Sequence, residues 1–105
     1  MENLESVIIK NKKGFYYVLD GETLTSVAEK FSTTERVIFV ENMLTSGDVC
    51  GKVLLVKSYE KIYIVKEFDT IDSVCEKFNL EKEIFKKINY VDYVFCGQRV
   101  IVDGY

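Results

Sequence analysis

Histidine, proline and tryptophan are absent from this chain of 105 residues, and cysteine occurs only three times. Because Cys50, Cys75 and Cys96 lie far apart and histidine is missing, the ligand spacing of a zinc site is missing too. An odd number of cysteines argues against the disulfide framework of a small secreted domain. A nucleophilic cysteine would need a neighbouring base to form its thiolate. We therefore expect no metal and no cofactor, and we expect Cys75 to be a small core side chain.

Excess charge and long apolar runs are also missing. The net charge is −3, so nothing predicts binding to nucleic acid, whose phosphates require clustered Lys and Arg. No apolar run approaches the ~20 residues of a membrane span. The first five residues lack the basic start and apolar core of a secretory signal. We therefore expect a cytoplasmic protein as encoded, which reaches a cell wall or spore envelope only by non-classical export or within a longer protein.

The chain does contain an internal repeat. Residues 15–42 match residues 62–89 without a gap, at a constant offset of 47 residues. One residue is then lost, and the match continues to Val56 and Val102. The identical pairs include Tyr16 and Tyr63, Val18 and Val65, Thr23 and Thr70, Glu29 and Glu76, Phe31 and Phe78, and Asn42 and Asn89. Periods of this length indicate stacked supersecondary units. Two copies of a small module favour a binding protein, because catalysis seldom needs the same surface twice.

Each copy predicts the order strand–helix–helix–strand. Short aromatic and β-branched runs at 15–18 and 62–65 are typical of strands, and closing strands follow at 53–56 and 99–102. The sequence therefore predicts an α+β fold of two tandem βααβ modules, each with a two-stranded antiparallel sheet packed by two helices.

Helical spacing of apolar residues fills the middle of each copy. The side chains predicted to face inward are Leu24, Val27, Ala28, Phe31, Val37 and Ile38, and their counterparts Ile71, Val74, Cys75, Phe78, Ile84, Phe85 and Ile88. Thr23, Thr34 and Thr70 are good N-caps for these helices, whereas Glu81 is a poorer one.

Four segments follow from the repeat. They are an N-terminal extra strand or hairpin (1–14), a first module (15–57), a short linker (58–61) and a second module (62–105). Residues 7–10 match the closing strand of the first module at the same offset. Two interpretations stay open: an extra strand that pairs with residues 15–18, or the remnant of a third unit.

The repeated residues resemble the LysM (lysin motif) module. Residues 18–31 are similar to its opening, where a Val-x-x-Gly-Asp-Thr-Leu-like turn starts the first helix. Asn42 resembles the module's central asparagine, and residues 51–56 resemble its closing Gly-Gln-x-Leu-x-Ile strand. The second copy keeps Asn89 and the closing residues 97–102. The resemblance covers residues 15–57 and 62–103, nearly the whole chain.

What the resemblance implies is binding of N-acetylglucosamine-containing glycans, peptidoglycan above all or chitin-like oligomers. The sugar would lie between the first strand–helix loop and the loop after the second helix. By position, the first groove would comprise Gly21, Glu22, Thr23, Leu24, Met43, Leu44, Thr45 and Ser46. The second would comprise Phe68, Asp69, Thr70, Ile71, Tyr90, Val91, Asp92 and Tyr93. A neutral acetamido sugar requires hydrogen bonds and a small apolar pocket, and no formal charge.

Phe68 departs from the LysM pattern, which has glycine at this turn. If the position requires positive φ, phenylalanine is strained there, and we expect the loop to have changed shape. Phe68, Tyr90 and Tyr93 would then form an aromatic shelf for a sugar face. The alternative is that these rings fill a gap between the modules or bind another protein.

Catalysis is not expected. A glycosidase needs two carboxylates across a cleft, roughly 5–10 Å apart. Glu22 and Asp69 occupy equivalent positions in different copies, and each more simply favours a helix N-terminus.

A protein-interaction or assembly module is the second hypothesis, because LysM-like modules also occur in spore-coat, envelope and phage assembly proteins. Phe39 and Val40 exceed what one small module can bury. We expect them to face the other module, or else a partner chain or a second copy.

Overall fold

A computed structural model of the chain describes residues 13–103. Its elements, in chain order, are β1 (Lys13–Tyr17), α1 (Leu24–Lys30), α2 (Glu35–Glu41), β2 (Val53–Lys57), β3 (Ile62–Ile64), α3 (Ile71–Phe78), α4 (Lys82–Asn89) and β4 (Arg99–Ile101). Strand β1 pairs antiparallel with β2, and β3 with β4. The predicted α+β class and element order are therefore confirmed. We call β1–β2 with α1 and α2 the first unit, and β3–β4 with α3 and α4 the second. Residues 7–10 lie outside the described part of the chain.

The first helix of each unit begins at a capping box. The Thr23 Oγ1 accepts a hydrogen bond from the Ser26 N–H at 3.0 Å, and the Ser26 Oγ accepts one from the Thr23 N–H at 2.8 Å. Thr70 and Ser73 repeat this exchange at 3.1 and 2.9 Å. Such reciprocal bonds satisfy backbone donors that a helix start otherwise leaves free. Helix α4 begins at Glu81 with no side-chain cap, as expected for that residue.

The second helix of each unit is tied to the closing strand by an asparagine. Thr34 caps the start of α2, and Asn42 at its end bonds the Leu55 N–H at 2.7 Å and the Leu55 carbonyl at 2.9 Å. Asn89 makes the same pair of bonds to Ile101, at 2.7 and 3.1 Å. The identical asparagines therefore fix the helix–strand junction.

Each unit has its own hydrophobic core. The first comprises Tyr16, Val18, Val27, Ala28, Phe31, Ile38, Val49, Leu54 and Val56. The second comprises Val65, Ile71, Val74, Cys75, Phe85, Val100 and Val102. Cys75 is buried there, as predicted. The prediction that Ile84 faces inward is wrong, because 39% of this residue is exposed.

A third cluster joins the two units. Buried Val37 of α2 packs with Tyr59 and Ile101, and Ile62, Ile88 and Tyr90 cover its edges. Tyr59 belongs to the segment predicted as a plain linker (58–61), yet both it and Ser58 are buried. The Tyr59 N–H donates to the Ser32 carbonyl at 2.9 Å, and the Ser32 Oγ donates to the Tyr59 carbonyl at 2.7 Å. The linker is therefore a structural part of the contact.

Polar bonds complete this contact. The Arg36 Nε donates to the Tyr90 carbonyl at 2.9 Å, and the Arg99 Nε donates to the Thr33 carbonyl at 3.3 Å. The Tyr90 hydroxyl donates to Glu41 at 2.9 Å. Helix α2 of the first unit thus lies on the outer face of the β3–β4 sheet of the second. The two units form one packed body.

Candidate functional site

The two loops that the sequence assigned to each groove pack on a common core. In the first unit, Leu24 from the start of α1 and Leu44 after α2 are both partly buried against it. In the second unit, Ile71 and Val91 occupy the equivalent places. The structure therefore brings these residues to the edge of one core in each unit.

The first loop is also held against the segment before the closing strand. The Gly51 N–H donates to the Val18 carbonyl at 2.9 Å, and the Cys50 thiol lies 3.3 Å from the Glu22 carbonyl. The Gly97 N–H makes the equivalent bond to the Val65 carbonyl at 2.8 Å. In both units the first loop is thereby joined to the segment before the closing strand.

The Glu22 carboxylate binds to other groups of the first unit. Its carboxylate accepts hydrogen bonds from the Tyr16 hydroxyl at 2.7 and 2.8 Å and from the Leu19 N–H at 2.8 Å, and it pairs with Lys30 at 3.0 Å. Burial alone would raise the pKa of Glu22, but the bonds from Leu19, Tyr16 and Lys30 outweigh it and lower the pKa. The carboxylate therefore stays ionised and partnered.

The second unit repeats this network with a shorter acid. Asp69 accepts from the Tyr63 hydroxyl, from the Lys66 N–H at 2.9 Å and from the Ser73 Oγ at 3.0 Å. The Tyr63 bond is the main cause that lowers the pKa of Asp69 to about 2. Lys77 donates to the Tyr63 hydroxyl at 2.9 Å. The identity of Tyr16 with Tyr63 and of Lys30 with Lys77 was the sequence signal for this network, which the sequence analysis missed.

Phe68 keeps the turn of its glycine counterpart. Its φ is +69°, close to the +86° of Gly21, and the same backbone bond closes both turns, at 3.1 Å each. The expectation that this loop has changed shape is therefore wrong. Left-handed backbone at a non-glycine residue costs about 1–3 kcal/mol. Since 91% of Phe68 is exposed, packing does not offset that cost.

Tyr90 and Tyr93 diverge in the structure. Tyr90 ends α4 and lies in the contact between the units, with its hydroxyl on Glu41. This position fits the gap-filling alternative for Tyr90. Tyr93 is 74% exposed. Phe95, an aromatic residue that the sequence analysis did not include, is 57% exposed.

A cleft of about 490 Å³ opens between the two units. It joins Leu24 from the first predicted groove to Val91, Asp92 and Tyr93 from the second. The other lining residues are Glu35, Arg36, Phe39, Phe95, Gly97, Gln98 and Arg99. Phe39 thus faces the other unit, the arrangement that we favoured from the sequence. No local pattern pointed to Arg36 and Arg99, because only the packing of the units brings them together.

Two further cavities lie beside the loops after the second helices. One of about 360 Å³ is lined by Met43, Leu44 and Thr45 together with Lys52 and Val53. The other, of about 540 Å³, places Tyr90, Val91 and Asp92 next to Ile84 and neighbouring α4 residues. Several other predicted site residues are exposed on the loop surfaces: Gly21, Thr23, Ser46, Phe68 and Thr70. The predicted grooves are therefore open surfaces.

Within residues 13–103, no group of three or more His, Cys, Asp or Glu side chains is arranged to hold a metal ion. Cys50, Cys75 and Cys96 are free thiols. No helix in this part of the chain is long and apolar enough to cross a membrane.

Fold and site together define a small α+β protein of two βααβ units with paired loops in each. No protein-family model matches the chain, and no curated protein does. Among solved structures, it is similar to the spore cortex-lytic enzyme SleL of Bacillus cereus, with 23% identity and a TM-score of 0.41. It is also similar to SleL of Bacillus megaterium QM B1551, with 24% identity and a TM-score of 0.44. The match covers 87% of this chain but 22% of each enzyme. Superpositions this loose, at this identity, assign neither a family nor a function.

Proposed function

We propose that this chain is a non-catalytic binding protein for N-acetylglucosamine-containing glycans, peptidoglycan in the first place, and that its two units are LysM-like modules. The observation that carries the proposal is the duplicated loop. Tyr16 with Glu22, and Tyr63 with Asp69, hold the same turn in both units. Duplication of so specific an arrangement favours two related binding surfaces over one catalytic centre.

The chemistry of the loops suits a neutral sugar. Glu22 and Asp69 are satisfied by internal donors, so neither carboxylate needs a charged ligand. Leu24 and Leu44 offer apolar side chains to the acetamido methyl group, and exposed backbone beside Gly21 can meet the amide. Each such hydrogen bond contributes about 1 kcal/mol net, so one groove binds weakly.

The cleft between the units extends this proposal. It places Leu24 of one proposed groove and Tyr93 of the other on a common surface. A glycan long enough to contact both grooves gains effective concentration at the second once the first is occupied. We propose the two grooves with the residues given by the resemblance, and Tyr93 as the sugar-stacking ring nearest the cleft.

Titration of the isotope-labelled chain with chito-oligosaccharides of increasing length tests the proposal. We expect saturable NMR shifts in residues 21–24 and 43–46 and their counterparts 68–71 and 90–93, with affinity rising with length. Tyr93→Ala should weaken binding several-fold, whereas Ile64→Ala, which removes an exposed side chain from a strand, should not. Purified sacculi should retain the chain without release of new reducing ends. Failure to bind both oligosaccharides and sacculi would overturn the proposal.

A further inference from the structure

The outer face of the β1–β2 sheet is apolar and exposed. Tyr16, Leu54 and Val56 point into the first core, so the alternate side chains point away from it. These outer residues are Phe15, Tyr17 and Val53, exposed by 69%, 52% and 61%, with half-buried Leu55 beside them. A contiguous apolar patch of this kind marks an interaction surface.

The second unit shows what covers such a face. Ile62 and Ile101 are the counterparts of Phe15 and Leu55, and they lie on the outer face of β3–β4. There Ile101 is fully buried, because Val37 of α2 packs on it with Tyr59. The sheet face of the second unit is therefore occupied by the second helix of the first.

Helix α4 has a surface equivalent to the one that α2 packs on the sheet. Ile84 of α4 is the counterpart of Val37, and Leu80 is the counterpart of Thr33. Ile84 is 39% exposed, at a concavity of about 540 Å³. Within residues 13–103, the first unit thus presents an exposed sheet face, and the second an exposed position on its second helix.

The polar bonds of the contact within the molecule have no counterparts at the two exposed faces. Within the molecule, Arg99 on the sheet bonds the backbone of Thr33 before α2. At the equivalent places stand Val53 and Leu80, so no side-chain donor reaches that backbone carbonyl, and Leu80 itself packs against the second core.

The apolar pair at the centre of the contact is retained. Val37 against Ile101 becomes Ile84 against Leu55. The two exposed faces therefore keep the central apolar pair of the joined faces and lose their polar bonds.

We propose that the occupant of the β1–β2 outer face is the α4 face of a second copy of this chain. The contact repeats the intramolecular one, so it joins unlike surfaces and leaves one free face at each end. Such head-to-tail contacts continue from copy to copy unless the rotation closes a ring. This inference is independent of glycan binding.

Sedimentation velocity of the full chain over a wide range of concentration provides the test. We expect the sedimentation coefficient of the unmodified chain to rise with concentration. Phe15→Lys and Ile84→Lys, each at an exposed position that should tolerate the change, should both remain monomeric. Leu19→Lys alters an equally exposed apolar side chain outside either face and should associate like the unmodified chain.

Mixing the two variants separates head-to-tail contact from other modes. Phe15→Lys keeps an intact α4 face, and Ile84→Lys keeps an intact sheet face. Their equimolar mixture should therefore form a dimer that grows no further. The proposal is overturned by a concentration-independent monomer in the unmodified chain, by association that survives Ile84→Lys, or by a mixture that stays monomeric.

Discussion

The side chain of Asn89 makes both hydrogen bonds that a neighbouring strand would make to Ile101, accepting from its N–H at 2.7 Å and donating to its carbonyl at 3.1 Å. Asn42 does the same for Leu55. Since each asparagine ends a helix, it replaces the strand that a two-stranded sheet lacks on that edge. The central asparagine of each unit is thus a structural residue.

Asn89→Ala should destabilise the chain more than Asn42→Ala. Asn89 and Ile101 are buried, so the substitution removes two hydrogen bonds at a place that water does not reach, at a cost of about 2–3 kcal/mol. Asn42 and Leu55 are only partly buried, so water can replace the lost bonds. Urea unfolding of the two variants measures the difference. Equal losses would contradict this account.

Asp69 should contribute to an acid-dependent loss of stability. Its pKa is about 2 in the folded chain against an ordinary value of 3.8, chiefly because of the Tyr63 hydroxyl. A folded pKa below the unfolded one stabilises the fold above the unfolded value, and this contribution is lost as the pH falls from 3.8 towards 2. The stability difference between the unmodified chain and Asp69→Asn should therefore shrink across that interval in urea titrations.

Tyr63→Phe provides the control background for that experiment, because the Tyr63 hydroxyl is the largest cause of the lowered pKa of Asp69. In that background, the stability difference for Asp69→Asn should change less across the interval. A difference for Asp69→Asn that does not depend on pH would refute the role of the Tyr63 bond.

Phe68→Gly should stabilise the fold while weakening glycan binding. Glycine removes the strain of a φ of +69° at a side chain that is 91% exposed, a gain of about 1 kcal/mol after the entropy of the unfolded chain is counted. If Phe68 contacts the sugar as a residue of the proposed second groove, affinity falls in the same variant. Thermal unfolding and oligosaccharide titration measure the two effects. A stabilised variant with unchanged affinity would remove Phe68 from the binding surface.

Tyr59→Ala should uncouple the two units. Tyr59 is 7% exposed and lies between Val37 and Ile101, so truncation removes about 3 kcal/mol of packing from the contact. We expect the unmodified chain to unfold in one transition, and the variant to show different midpoints for NMR probes in each unit. Tyr17→Ala, at a half-exposed ring, is the matched control. Coincident, unshifted midpoints in Tyr59→Ala would contradict the prediction.

The repeat made the fold predictable, because two copies of one pattern agree on strand, cap and helix at each position. Thr23 and Thr70 cap helices as expected, and Cys75 is buried like its counterpart Ala28. The same pattern misplaced Ile84, because inward spacing alone does not distinguish a core from a contact between units. Val37 has that spacing too, and it is buried only because the second unit lies against it.

The site was less accessible to sequence reasoning. The resemblance named the loops, and the structure packs Leu24 with Leu44 on one core. The resemblance did not indicate that the units meet at a cleft, because the cleft depends on long-range contacts such as that of Arg36 with Tyr90. The prediction of a changed loop at Phe68 was wrong for a physical reason. The hydrogen bonds around Asp69 hold the turn strongly enough to keep a strained residue in place.

The two loop carboxylates, one in each unit, keep their charge over a range of pH. Glu22 and Asp69 are held ionised by internal donors, and the chain contains no histidine. The charges of these two carboxylates therefore persist from neutral into mildly acidic solution. If the loops bind sugars as proposed, these two carboxylates keep the same ionisation state in a mildly acidic cell wall.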